Sequence, residues 1–124
     1  MSKKDPLTAV RNYIDAFNSA DLQEMSEAFA SPASILDGLP PHTWQGPGAG
    51  ERWYRDVLIA GKLEGAENYF VTLGIPWHVN TTGDSAYVVI PATMKFTVRG
   101  KKVTQTGSVF TVALQKSHAG WLIT

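Results

Sequence analysis

The sequence predicts an α+β domain, with helices first and a run of antiparallel strands after them. Two observations carry this. Before Ala66 the apolar residues recur at helical spacing, and from Ala66 onward they alternate with polar ones. Length agrees: 124 residues suit one domain with one core, so residues 1–124 are read as a single unit.

Each element follows from local chemistry. Pro6 fits the first turn of a helix with Asp5 as its cap, and Leu7, Val10, Ile14 and Phe17 make one stripe, with Tyr13 at its edge. Asp21 and Glu24 resemble a capping box that opens a second helix, with Leu22, Met25 and Phe29 on its apolar side and Pro32 after its end. Ser34 to Asp37 reads as a short extended segment and Pro40-Pro41 as a loop. Pro47 or Ala49 opens a third helix carrying Trp53, Tyr54, Val57 and Leu58, and Gly61 is the expected stop. Beyond it come a strand bent at Gly74 and Pro76, a turn in Thr81–Asp84, a long hairpin turning at Arg99-Gly100, a turn in Ser117–Gly120 and a last strand from Trp121.

The hairpins can be paired from the turns outward. A turn at Arg99-Gly100 puts Phe96 opposite Val103, Met94 opposite Gln105 and Ile90 opposite Val109. A turn at Thr82-Gly83 puts Val79 opposite Ala86 and Trp77 opposite Val88. One face then holds Trp77, Val79, Val88, Ile90, Met94, Phe96 and Val109 and is expected to meet the helices. The other holds His78, Tyr87, Val89, Phe110 and Val112 beside several threonines. So much apolar area on an outer face is expected to be covered, most simply by a second copy in a two-fold homodimer. A slip of one residue would exchange the faces.

Composition narrows the function classes. The formal net charge is +0, and Lys3-Lys4 and Lys101-Lys102 are too short to be basic patches, so nucleic acid is not an expected partner. Without cysteine there are no disulfides, thiolate metal sites or thiol nucleophiles. His42, His78 and His118 show no metal-binding spacing, so no metal is expected. No apolar signal core or membrane-length run is present, so the expected place is the cytoplasm, away from membranes. "GPGAGE" does not follow a strand with phosphate-loop spacing and reads as a helix entrance.

The run "LTAVRNYIDAFNSADLQEMSEAFASPASILDG", then "WQGPGAGERWYRDV", then a curved sheet ending "GWLIT", resembles the nuclear transport factor 2-like superfamily and, within it, the SnoaL-like group. The resemblance covers nearly the whole chain. It implies a cone: three N-terminal helices packed on a curved antiparallel sheet enclosing a pocket, often in homodimers. It also implies a last strand longer than the one from Trp121 to Thr124. The group includes polyketide cyclases, ketosteroid isomerases, epoxide hydrolases, dehydratases and non-catalytic domains, so function must be argued from the site.

The ketosteroid isomerases resemble this chain through Thr8-Ala9-Val10, Tyr13, Asp21-Leu22, Phe29 and Asp37. The resemblance implies that Asp37 is the catalytic base and Tyr13 the donor of the oxyanion hole. A carboxylate in an apolar site is a stronger base near neutrality, and a phenol stabilises the enolate oxygen as charge develops. The third group of those enzymes, a protonated Asp, falls on Val109, or on Ser108 with a one-residue slip, and neither is an acid. Steroid isomerase activity is therefore disfavoured. In this fold Phe17, Trp44, Trp53, Met94, Val109 and Trp121 would line or floor the pocket and bind substrate, with Trp44, in its Pro-rich loop, as a lid.

Each residue also has a plainer reading. Asp37 could cap the turn at Gly38, Tyr13 could be a core-edge aromatic, His42 a solvated loop residue and His78 an interface residue. The function expected is cofactor-free acid–base chemistry of isomerase, cyclase, dehydratase or hydrolase type on a small hydrophobic molecule. The alternative is a non-catalytic ligand-binding or dimerisation domain with the same fold.

Overall fold

The computed structural model describes residues 5–118 and 120–124. Lys3-Lys4 and Ala119 of the Ser117–Gly120 turn lie outside the described residues.

Helix α1 (Pro6–Asn18) starts as its sequence requires. The Asp5 carboxylate accepts from the Leu7 N–H at 2.9 Å, and Pro6 sits in the first turn, where a missing N–H loses no helical bond. Val10, Ile14 and Phe17 are buried. Its last residue, Asn18, clamps the sheet: Nδ2 donates to the Val71 carbonyl at 2.9 Å, and Oδ1 accepts from the Val71 N–H at 2.8 Å. In α2 (Leu22–Glu27), Asp21 accepts from the Glu24 N–H at 3.1 Å. Met25 is buried, whereas Leu22 is exposed.

Helix α3 (Ala49–Glu64) runs past the stop expected at Gly61. Gly61 is buried inside the helix, where a Cβ would stand 2.6 Å from the Tyr69 hydroxyl. The helix ends at Gly65, which takes the left-handed conformation (φ 75°) and bonds its N–H to the Lys62 carbonyl.

Between α2 and α3 lies a small antiparallel ribbon, β1 (Ala33–Leu36) with β2 (Thr43–Gly46), which pairs Ile35 with Trp44. The main sheet contains β3 (Ala66–Leu73), β4 (His78–Thr82), β5 (Ser85–Val98), β6 (Lys101–Ser117) and β7 (Gly120–Ile123). Strands β3 and β4 pair with successive stretches of β5, β5 with β6, and β6 with β7. The expected bend between β3 and β4 is present. Through it the chain stays hinged on β5, the Gly74 N–H bonding the Pro91 carbonyl and the Trp77 N–H the Val89 carbonyl, both at 2.8 Å.

The Arg99-Gly100 turn is as expected, with both residues at positive φ (51° and 84°), the geometry of a tight hairpin. Near it Phe96 faces Val103 and Met94 faces Gln105. Farther along, Thr106 and Gly107 of β6 stand against the single Thr93 of β5, a bulge in which Gly107 takes φ 81°. One surplus residue changes the phase of β6. Ile90 therefore faces Phe110, not Val109, and Val88 faces Val112. Phe110 and Val112 pack on the core beneath the helices, and Val109 turns outward, 39% exposed. The expected positions of all three are thus reversed: Val109 does not face the helices, and Phe110 and Val112 do not belong to the outer face.

The other turn has its tip at Gly83-Asp84, so Val79 pairs with Val88 rather than Ala86; the offset is even and keeps the parity, but β4 is exposed along its length and Val79, expected under the helices, is not buried. Trp77 precedes β4 and is 66% exposed, in place of its expected position under the helices.

One core cluster joins Val10 to Val88, Ile90, Leu114, Trp121 and Ile123; a second joins Ile14 and Phe17 to Met25, Val71 and Ala92. A third, of Ala33, Trp44 and Ala49, sits between the ribbon and α3. No helix among the described residues is long and apolar enough to cross a membrane.

Candidate acid–base site between the ribbon and helix α3

Strand alternation places Asp37. Ala33 is buried and Ile35 half-buried, and Asp37 is the next residue of the same phase. The ladder continues one step past β1, because the Asp37 N–H bonds the His42 carbonyl at 3.0 Å. The carboxylate thereby meets α3, where Trp53 Nε1 donates to Asp37 Oδ2 at 3.0 Å. His42 closes the loop at positive φ (77°), its N–H on the Leu39 carbonyl at 2.8 Å and its ring Nδ1 3.1 Å from the Asp37 carbonyl oxygen. The backbone of Asp37 is held from both sides while its side chain stays exposed.

Aromatic rings stand behind the carboxylate. Trp53 lies against Phe17 with centroids 6.1 Å apart, and Tyr54 meets Phe17 edge-on at 5.9 Å. Tyr13, half-buried on α1, packs edge-on against Phe29 at 5.2 Å. Its phenol is pushed well above the ordinary value of 10.0, first by burial, then by the negative charge of Asp37 and by Tyr54. The phenol therefore keeps its proton and remains a donor. The charge of Asp37 is felt at Tyr13, and Tyr13, Trp53 and half-buried Met94 pack on the core cluster that contains Phe17.

The remaining expected lining residues lie elsewhere. Trp44 is not a loop lid. It is a β2 residue, 4% exposed in the third cluster, and its Nε1 donates to Asp56 Oδ2 at 2.8 Å. Asp56 accordingly faces the ribbon. Trp121 is buried in the first cluster, apart from Trp53, and Val109 faces outward. Tyr54, one position after Trp53 and edge-on to Phe17, was not assigned to the site by sequence reasoning; Ser108, the slip alternative to Val109, lies opposite Ala92 beside the bulge. A shallow hollow of about 160 Å³ is lined by Trp77, Pro91, Thr93, Gly107 and Val109 among others, and another of about 220 Å³ lies at the start of α3. Neither is lined by Asp37 or Tyr13. No cluster of His, Cys, Asp and Glu suited to a metal occurs among the described residues.

Residues 7–124 match the SnoaL-like domain. The chain belongs to the SnoaL-like family. Solved structures of similar fold include a candidate aromatic ring hydroxylase from Novosphingobium aromaticivorans, with TM-score 0.79 and 15% identity over 99% of this chain and 84% of that one. A candidate dehydratase of the NTF2-like family from Streptomyces avermitilis gives TM-score 0.75 and 21% identity over 93% and 86% of the two chains. A candidate ketosteroid isomerase from Shewanella frigidimarina gives 0.70 and 19% over 96% and 90%. At such identities the likeness is one of fold, and chemistry has to come from side chains. No curated protein matches this SnoaL-like chain by sequence.

Proposed function

We propose that this SnoaL-like protein is a cofactor-free enzyme that moves a proton on a small, largely apolar molecule held between the helices and the curved sheet. Asp37 is the general base and Tyr13 the hydrogen-bond donor to the oxygen on which charge develops. The observation that supports this is an exposed carboxylate oriented by the Trp53 indole N–H, whose negative charge reaches the Tyr13 phenol and, with burial, keeps it protonated. Trp53 occupies Oδ2 of Asp37, and Oδ1 is the atom that takes the proton. Phe17, Trp53 and Met94 supply the apolar wall. Where a steroid isomerase carries an acid as second donor, the helix-facing position here is the half-buried hydroxyl of Ser108. One strong donor suits isomerisation, cyclisation, dehydration or hydrolysis of a more acidic substrate than a steroid enone.

The test is deuterium exchange at the carbon next to the carbonyl in a panel of hydrophobic ketones, followed by NMR. The wild type should accelerate exchange, Asp37→Asn should lose about a hundredfold or more of that, and Tyr13→Phe should lose a smaller part. Equal exchange in all three proteins would overturn the acid–base reading, and ligand binding retained without exchange would favour the ligand-binding alternative.

We also propose a two-fold homodimer through the outer sheet face. Phe70, Tyr87 and Val109 are exposed there, with Val89 and His78 on the same face, apolar side chains that a second copy would cover. Sedimentation should give a dimer that Tyr87→Glu splits; a monomeric wild type would refute it.

A further inference from the structure

We infer that the hollow between the β3–β4 bend and the β6 bulge is a second ligand site, independent of the chemistry at Asp37, and that it takes one neutral aromatic ring bearing a hydroxyl, a phenol. Two departures from regular pleating make this hollow. The bend carries Gly74 and Trp77 along one side of β5, and the bulge sets Gly107 and Val109 on the other. Pro91 joins the two: its carbonyl accepts from the Gly74 N–H at 2.8 Å, and Val109 stands opposite it in the ladder. Gly74 runs so close to Pro91 that a Cβ would stand 3.1 Å from the ring Cγ, whereas a Cβ on Gly107 would meet no atom within 4 Å. The first glycine permits the close approach, and the second leaves the space open.

The lining selects the ligand. The volume, about 160 Å³, is that of a cavity holding a single benzene ring. Trp77, Pro91 and Val109 supply apolar surface, and Trp77 at 66% exposure is too open to serve as core. An indole left in water gains by packing against another ring. None of the lining residues is charged, so an ion entering the hollow would lose hydration and meet no counter-charge. The polar groups on offer are neutral. One is the half-buried Thr93 hydroxyl, which bonds no group among the described residues. The other is the backbone of the bulge, where Thr106 and Gly107 share one partner position and the ladder is interrupted. A single hydroxyl on a flat ring matches this combination.

Three probes decide this: phenol, toluene and benzoate. Binding is read from the NMR shifts of the Trp77 indole N–H, assigned with Trp77→Phe, and of the Gly107 amide. Phenol should bind about fivefold more tightly than toluene, the worth of one neutral hydrogen bond, and benzoate should bind least. Thr93→Val should bring phenol down to the affinity of toluene, and Trp77→Ala, read at Gly107, should weaken both about tenfold. Equal binding of the three probes, or a phenol preference that survives in Thr93→Val, would overturn the inference. If Thr93→Val does not fold, nuclear Overhauser effects decide in the wild type: phenol protons should contact the Val109 methyls and the Trp77 ring, and their absence refutes the site. Val109 also belongs to the face proposed for the dimer, so each titration is repeated on Tyr87→Glu. Phenol should bind both proteins, and binding confined to Tyr87→Glu would mean that a second copy, not a ligand, fills the hollow.

Discussion

Trp44→Ala distinguishes a wall of the core from a movable lid. The indole is 4% exposed, packs with Ala33 and Ala49, and donates to half-buried Asp56 at 2.8 Å. Truncating a buried Trp costs about 3–5 kcal/mol through lost transfer energy and the cavity left behind. Loss of a hydrogen bond to a carboxylate that can partly rehydrate adds about 1 kcal/mol. The total, about 5 kcal/mol, approaches the whole stability of a small domain, about 5–15 kcal/mol. Trp44→Phe keeps most of the packing and loses the donor, so it should cost about 1–2 kcal/mol. Urea unfolding followed by circular dichroism measures both, and for a chain of this size about 1 kcal/mol moves the melting midpoint by about 4 °C. A Trp44→Ala protein within about 1 kcal/mol of the wild type would refute the reasoning, since only a residue outside the core can be removed so cheaply.

Asn18→Ala should cost about 2–3 kcal/mol in the same assay, because it removes both partners offered to the Val71 backbone. Gly50→Ala should cost about 1–3 kcal/mol, since its Cβ would meet the Phe29 ring at 2.5 Å, while Gly38→Ala, with open space around it, should stay within about 0.5 kcal/mol. Tyr13 links stability to alkaline pH. Its phenol titrates above 10.0 in the fold and near 10.0 when unfolded, so its contribution is complete below the unfolded value and is lost as pH rises through the folded one. Tyr69 shifts the same way through burial and Glu64, so the measurement is a difference: Tyr13→Phe should lose stability less steeply above pH 10.0 than the wild type. Identical slopes would show that Tyr13 ionises freely.

What could be read in the sequence is what local chemistry decides. Asp5-Pro6 and Asp21 announce their helices because a cap needs only its own neighbours. Arg99-Gly100 announces its turn for the same reason. The phase of β6 could not be read, because alternation looks regular on both sides of Gly107 and only the partner strand reveals the surplus residue. Val109, Phe110 and Val112 were misplaced together for that one cause. The strand holding Trp44 was hidden because its four residues follow two prolines and pair only with the equally short β1. At the site, Asp37 and Tyr13 came from a family likeness. The Trp53 bond depends on the phase of a strand meeting the phase of a helix, although Ala33, Ile35 and Asp37 already share one parity.

The ribbon and α3 exchange indole–carboxylate bonds in both directions, Trp44 to Asp56 and Trp53 to Asp37. That reciprocity bears on protein engineering. Residues 33–46 are not a portable loop. Transplanted alone onto another SnoaL-like scaffold, they would bring one donor without its acceptor and one acceptor without its donor. The smallest transferable cassette runs from Ala33 to Asp56, and a library that varies this region must vary both members of each pair together.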